Sequence, residues 1–284
     1  MLSLSRNAWV WILLSFWVSP ALALPEDAEG GQPAEDQHHL DAFDDEALFV
    51  IGNTLFTVYH ELGHALIDLL DLPVIGREED AVDGFAAVTM IPKTPDPVRD
   101  ALIVAVADGW RAQSDFAADG RAHLFWGEHA LNEQRHFAVV CLMVGSDQEG
   151  FYDFALEAGL PDERIRTCSR DFSGMKSGWE RLLGPHRPGV EVTGGSSWAA
   201  PITLAFDQPP PKLSGLDDLI REGGLLENAI LGFGDDIALP SPVVVRFTTC
   251  KERNAFWSRA RREVAICYEL IDGFEAIFLG SALH

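Results

Sequence analysis

Val58-Tyr59-His60-Glu61-Leu62-Gly63-His64-Ala65-Leu66 is the stretch from which the rest of the chain can be read. Apolar residues at Leu55, Phe56, Val58, Leu62, Ala65, Leu66, Leu69 and Leu70 recur at spacings of three and four with no proline among them, the period of an amphipathic helix. On such a helix His60 and His64 stand one above the other on one face, because four residues make slightly more than one turn. Glu61 is turned about 100° away from them. Two imidazoles at this spacing are the start of a zinc site, and the carboxylate between them can reach a metal-bound water without ligating the metal itself.

A catalytic zinc site with two histidines needs a third protein ligand and leaves the fourth position to water. The zinc helix, expected over Ala47 to Leu70, ends near Asp71-Leu72-Pro73, since the residue before a proline disfavours continued helix. After a turn at Gly76, Arg77 to Ala87 returns to a helical pattern with an acidic start. Glu78 and Asp80 read as first-turn acids that complement the helix dipole. Glu79 and Asp83 are four apart on one face, and a short reversal brings that face past the first helix. Glu79 is therefore the candidate third ligand. Asp83, one turn on, is placed to accept the free N–H of a ligating histidine and so fix its tautomer.

The run from Phe49 to Pro92, with Tyr59-His60-Glu61-Leu62-Gly63-His64 followed by Glu79-Asp80-Ala81-Val82-Asp83, resembles the metallopeptidases of a bacterial family of otherwise unknown function. The spacing of Glu79 and Asp83 is also similar to the E-x-x-A-D or E-x-x-A-N signature of gluzincin-type peptidases. The likeness extends through Glu128-His129-Ala130-Leu131-Asn132-Glu133-Gln134-Arg135 and Cys267-Tyr268-Glu269-Leu270. Val82 and Gly84 depart from it, standing where Ala and a bulkier polar residue are expected. Asn254-Ala255-Phe256-Trp257 is similar to the substrate-binding edge strand of thermolysin-like peptidases, which there precedes the H-E-x-x-H helix and here follows it. The resemblance implies an α+β fold, mainly helical and zincin-like, with a small antiparallel β-sheet contributed largely by the C-terminal region. Its chain order implies a circular permutation in which spatial order is kept.

The activity so implied is hydrolysis of peptide bonds as an endopeptidase, with zinc held by His60, His64 and Glu79 and with Glu61 as general base. Asn254 and Ala255 would hold an extended peptide by β-addition to an unpaired edge. The alternative for this segment is that Phe256 and Trp257 are core aromatics and Asn254 a turn residue. His129 and Arg135 read either as donors to the oxyanion of a tetrahedral intermediate or, with Glu128, as groups that cap and salt-bridge a helix start. His123 and His136 read as structural. Two other function classes stay open: a zincin-fold binding or scaffold module without turnover, and a zinc hydrolase of a non-peptide cell-envelope amide. A base with three ligands argues against a purely structural zinc, which takes four protein ligands.

The 284 residues are 47% hydrophobic, ample for a core, and their formal net charge of −23 argues against nucleic acid and anionic lipid as partners. Met1 to Ala23 reads as a secretory signal peptide, with Arg6, an apolar stretch from Ala8 to Val18, and Ala21-Leu22-Ala23 as cleavage site; the alternative is an N-terminal anchor, for which the run is short. Leu24 to Asp45 follows as an acidic, disordered leader in which His38 and His39 are solvated. The expected locale is thus exported, periplasmic or secreted, with no stable membrane anchor after cleavage. Oligomeric state is open. Four cysteines in an exported chain suggest two disulfides, with Cys141–Cys168 and Cys250–Cys267 the favoured local pairing.

Residues 46–185 read as the helical zinc-binding region and 186–284 as an α/β region completing the cleft. Further helices are expected over Asp100 to Ala118, Leu131 to Val144, Phe151 to Leu183, Leu213 to Gly232 with an interruption at Gly223-Gly224, and Leu270 to Leu279. Strands are expected at Ile202 to Phe206, Val243 to Phe247 and Glu263 to Tyr268, the last two antiparallel across the turn between them.

Overall fold

The computed structural model describes residues 43–118, 126–190 and 201–281. The expected signal peptide, almost all of the expected leader and His123 lie outside the described residues. The long helix α1, Asp45–Leu70, is the axis of the molecule. Asp44 caps it, its side chain accepting from the Ala47 amide at 2.8 Å, and Asp71 ends it in the left-handed conformation at φ 50°. From Ala47 to Leu66 almost every position is buried, so this helix is surrounded rather than laid on a surface.

Helices α2 (Glu78–Met90) and α3 (Pro97–Ala118) pack directly on α1. Glycine allows the closest of these approaches. A Cβ on Gly63 would lie 2.8 Å from Val82 Cγ1, and one on Gly52 would lie 2.6 Å from the Leu102 carbonyl oxygen. Val82, unusual against the resembled pattern, therefore fits into the groove that Gly63 leaves open. Asn53, buried in α1, donates to the carbonyls of Phe49 at 2.9 Å and Ala105 at 3.0 Å and ties α1 to α3. Helices α4 (Asn132–Ser146), α5 (Gln148–Glu157) and α6 (Asp162–Leu183) build outward from this centre. The single helix expected over Phe151 to Leu183 is two, because Gly159 at φ 93° and Pro161 stop the first and start the second. A disulfide between Cys141 and Cys168 fastens α4 to α6.

The C-terminal region contributes a four-stranded sheet: β1 (Ile202–Phe206), β2 (Val243–Thr248), β3 (Ala255–Ser258) and β4 (Glu263–Cys267), in the order β1-β2-β4-β3. The fold is α+β, but the sheet is mixed and corrects the antiparallel expectation. β1 pairs with β2, and β2 with β4, in parallel, with Val245 beside Val264 in the second ladder. Only β3 is antiparallel to its neighbour, with Trp257 opposite Val264. The chain reverses twice between β2 and β4, once into β3 and once out of it, so β2 and β4 run the same way. Helices α7 (Ser214–Arg221) and α8 (Leu225–Asp235) replace the single interrupted helix, divided at Gly223 and Gly224, both at positive φ. Helix α9, Tyr268–Ser281, closes the described chain and returns to α1.

One apolar cluster runs through both regions, from Phe49 and Leu62 through Met143 to Val264 and Phe274. The last strands are thereby set against the first helix. The Trp257 indole donates to Asp68 on α1 at 2.9 Å, and the Tyr59 hydroxyl on α1 donates to the Ala229 carbonyl on α8 at 3.0 Å. The second disulfide, Cys250–Cys267, joins the segment before β3 to the end of β4. Among the described residues no helix is long and apolar enough to cross a membrane.

Candidate metal centre and cleft

His60 and His64 emerge from α1 on one face, as their spacing predicts, and the first turn of α2 delivers Glu79 opposite them. One ligand atom from each of these three residues lies within 4.8 Å of the others. The two Nε2 atoms are 3.3 Å apart, and they stand 3.2 Å and 3.5 Å from the two Glu79 carboxylate oxygens. Each imidazole is held from behind. His60 Nδ1 is 2.8 Å from Asp83 Oδ1, and His64 Nδ1 is 2.7 Å from Glu78 Oε1. A carboxylate only accepts, so both Nδ1 atoms carry the proton, and in the neutral imidazoles both Nε2 lone pairs face inward.

Two lone pairs and a carboxylate converging on one point repel one another unless a cation lies between them. Glu79 Oε2 shows the same frustration: it is buried and accepts no hydrogen bond among the described residues, although the ring nitrogens of His129 and His60 are 2.8 and 3.2 Å away. The donor set therefore fits a metal ion. Without one, protons take its place. Burial opposes charge on His64, but Glu79 and Glu78 outweigh it and push the imidazole up to about 9. Burial likewise opposes charge on His60, and the hydrogen bonds with Asp83 and Glu79 still raise it. The imidazoles of His129, His60 and His64 hold the Glu79 carboxyl far below the ordinary carboxylate range.

Glu61 is 8% exposed and lines the same cleft. Burial pushes its carboxyl up, against the pull of His60, His64 and the Trp257 backbone amide. Asp83 is also pushed up by burial, but the His60 hydrogen bond and the Arg135 guanidinium more than offset this and hold it low. Arg135 grips both Asp83 oxygens, at 2.5 and 2.6 Å, and its guanidinium lies 3.5 Å from the centre of the Trp110 ring.

The cleft has a volume of about 360 Å³ and runs from these histidines to Asn254, just before β3, Ala255 at the start of β3, and Phe274 on α9. β3 is one of the two outer strands of the sheet. His129 stacks beside His60 at 6.0 Å between ring centres, with half of its side chain exposed. His136 lies apart from the cleft, buried with Nδ1 on the Ala107 carbonyl at 2.8 Å.

Three features of the site were not read from the sequence. Glu78, expected as a dipole-complementing acid, instead accepts from His64 Nδ1. Trp110, whose buried Nε1 has no partner among the described residues, and Arg253, just before the Asn254–Trp257 motif, both line the cleft.

A family model described as "Putative metallopeptidase" (DUF4344) matches residues 28–183 and 208–283. Among curated proteins and solved structures nothing matches the chain significantly.

Proposed function

The chain belongs to this metallopeptidase family, and on that premise we propose that it is an exported zinc peptidase with His60, His64 and Glu79 as ligands and Glu61 as general base. The observation that carries this reading is the convergence of two imidazole lone pairs and the Glu79 carboxylate, with both Nδ1 protons already committed to Asp83 and Glu78. Three protein ligands of this kind leave a position open, the pattern of a catalytic rather than a structural zinc. Zinc bound there supplies a Lewis acid and lowers the pKa of a bound water toward about 7.

The chain's own residues do the rest. Glu61 takes a proton from the attacking water and passes it to the leaving amine. Its burial, which favours the neutral carboxyl, suits a group that must carry a proton between the two transfers. Asp83 and Glu78 fix the ring orientation of His60 and His64, as outer partners of metal-bound histidines do. His129, half exposed beside Glu79, donates to the developing oxyanion. Asn254 and Ala255 receive an extended substrate along the outer strand β3. Two disulfides accord with an oxidising compartment outside the cytosol.

The test is Glu61→Gln. The variant should bind one zinc per chain with wild-type affinity and lose at least about 10²-fold in hydrolysis of a denatured protein, the low end of what a positioned base contributes. Loss of zinc together with activity, or unchanged turnover, would refute the assignment.

A further inference from the structure

Besides the metal-site histidines, two cationic side chains line the cleft, Arg135 and Arg253. Arg135 is already committed to both oxygens of Asp83. Arg253 is not committed in this way. Its guanidinium makes no hydrogen bond among the described residues, and its one ion-pair contact there is Asp272 at 3.9 Å, with 61% of the side chain exposed. In a chain of net charge −23 such a group inside a cleft is a marked local exception.

Arg253 is also held in place. Cys250 before it is bonded to Cys267, and the Cys250 and Lys251 amides donate to the Glu269 carboxylate at 3.0 and 2.8 Å. The Asn254 carbonyl after it accepts from the Cys267 amide at 3.1 Å. Its stem lies across Gly273 of α9, where a Cβ would approach Arg253 Cδ to 3.2 Å, so glycine makes the berth. The neighbouring cleft walls, Phe256, Leu270 and Phe274, are apolar. A guanidinium that rises from a fixed stretch of backbone beside apolar walls, with no close anionic partner among the described residues, can receive a carboxylate through two parallel N–H donors.

We infer that Arg253 binds the C-terminal carboxylate of the substrate and that the enzyme removes short peptides from C-termini. This rests on the peptidase reading above and deepens it. Glu61 and Trp257 of β3 line one hollow, and Arg253 lies four residues before Trp257. Of the two directions in which a peptide can add to β3, the antiparallel one leads with its C-terminus toward Arg253 and so brings a carboxylate to the guanidinium. At about 3.3 Å per residue that separation is at most about 13 Å, so the fragment beyond the cleaved bond is about two to four residues long.

The experiment uses the zinc-loaded full-length enzyme and one unstructured peptide in three forms: free C-terminal acid, C-terminal amide, and amide with a terminal Glu. Products are sized by mass spectrometry, and binding of each form to the zinc-loaded Glu61→Gln protein is measured by fluorescence anisotropy. The acid should be cleaved about 10- to 100-fold more efficiently than the amide, releasing fragments of two to four residues, the range expected for one charge-assisted contact. Arg253→Gln should bring the acid-to-amide ratio near one, chiefly through KM, and Arg253→Lys should restore part of it. Equal cleavage of acid and amide by wild type, or a ratio that Arg253→Gln leaves intact, overturns the inference. Cleavage of the Glu amide as efficiently as the acid overturns the C-terminal preference and assigns Arg253 to an acidic side chain. If no form is cleaved but the acid still binds in an Arg253-dependent way, the peptidase reading fails and the carboxylate site stands. If neither cleavage nor Arg253-dependent binding is seen, the carboxylate site fails as well.

Discussion

Asp83→Asn tests whether the metal centre depends on the group behind it. Asp83 receives two donors: His60 Nδ1 at 2.8 Å and the Arg135 guanidinium at 2.5 and 2.6 Å. An asparagine has one accepting oxygen, and its amide nitrogen must then face either an imidazole N–H or a guanidinium, donor against donor. Loss of a histidine's outer partner typically weakens metal binding by about 10- to 100-fold, or about 1.4–2.8 kcal/mol at 1.4 kcal/mol per decade. The competition with Arg135 argues for the upper half of that range. Folding should suffer separately. The Asp83 and Arg135 side chains are 15% and 11% exposed, and removing one partner of a buried pair costs about 3–5 kcal/mol. Arg135 keeps its contact with Trp110, and the residual exposure softens the loss, so about 2–3 kcal/mol is expected. For a chain of this size that is a fall in apoprotein Tm of about 4–12 °C. Zinc affinity is read by competition with a chromophoric chelator, and Tm by calorimetry after chelation. Adding Arg135→Met should recover stability by removing the stranded cation, and with it part of the affinity, because the asparagine oxygen is then free to accept from His60 Nδ1. Zinc affinity within threefold of wild type in the single variant would refute this account of His60.

Glu78→Gln should weaken zinc binding only about two- to fivefold in the same competition assay, because the Glu78 side chain is 47% exposed and water can replace it at His64. An effect as large as that of Asp83→Asn would mean that burial does not set the rank of the two partners. The metal-free protein should lose stability on the alkaline side. The His64 imidazole is raised from 6.5 to about 9 in the folded chain, so its contribution is complete below about pH 6.5 and is lost as pH rises through about 9. His60 shifts in the same direction. Calorimetry with chelator present should show Tm falling across that window, whereas the zinc-loaded protein, which needs both rings deprotonated, should not follow it. A chelated protein whose Tm stays flat or rises from pH 6.5 to 9 would exclude the protonated-histidine state.

How much of the molecule is legible in its residues depends on the range of the interaction involved. The histidine pair, its helix and the acidic face of α2 follow from local periodicity, and the position of Glu79 follows from one short reversal. The two disulfides also join segments close in sequence. β2 and β4 are parallel because two reversals separate them, one into β3 and one out of it. β3 is four residues long with all four positions half-buried, so only its likeness to a known edge strand, and not its alternation, marks it. The partner of His64 is not legible for another reason. Glu78 and Glu79 are adjacent and chemically alike, and which of them meets Nδ1 and which Nε2 depends on how α2 packs on α1, a detail with no signature in either segment alone.

That long-range dependence extends to the cleft as a whole. One wall is α1, near the start of the described chain, and the other is β3 with α9, at its end; the Trp257–Asp68 hydrogen bond spans 189 positions. The metal ligands can come together once α1 and α2 have packed, which needs only local contacts. The substrate wall cannot form until the C-terminal strands have docked, and closing so large a loop is entropically costly and slow. Metal binding and substrate binding should therefore separate in destabilised variants. Changes that loosen the C-terminal sheet would leave His60, His64 and Glu79 able to hold zinc while removing the strand that orients a peptide. The order of the two walls along the chain costs nothing at the site itself, since only the positions of the side chains enter the chemistry. What it changes is which part of the chain must arrive last.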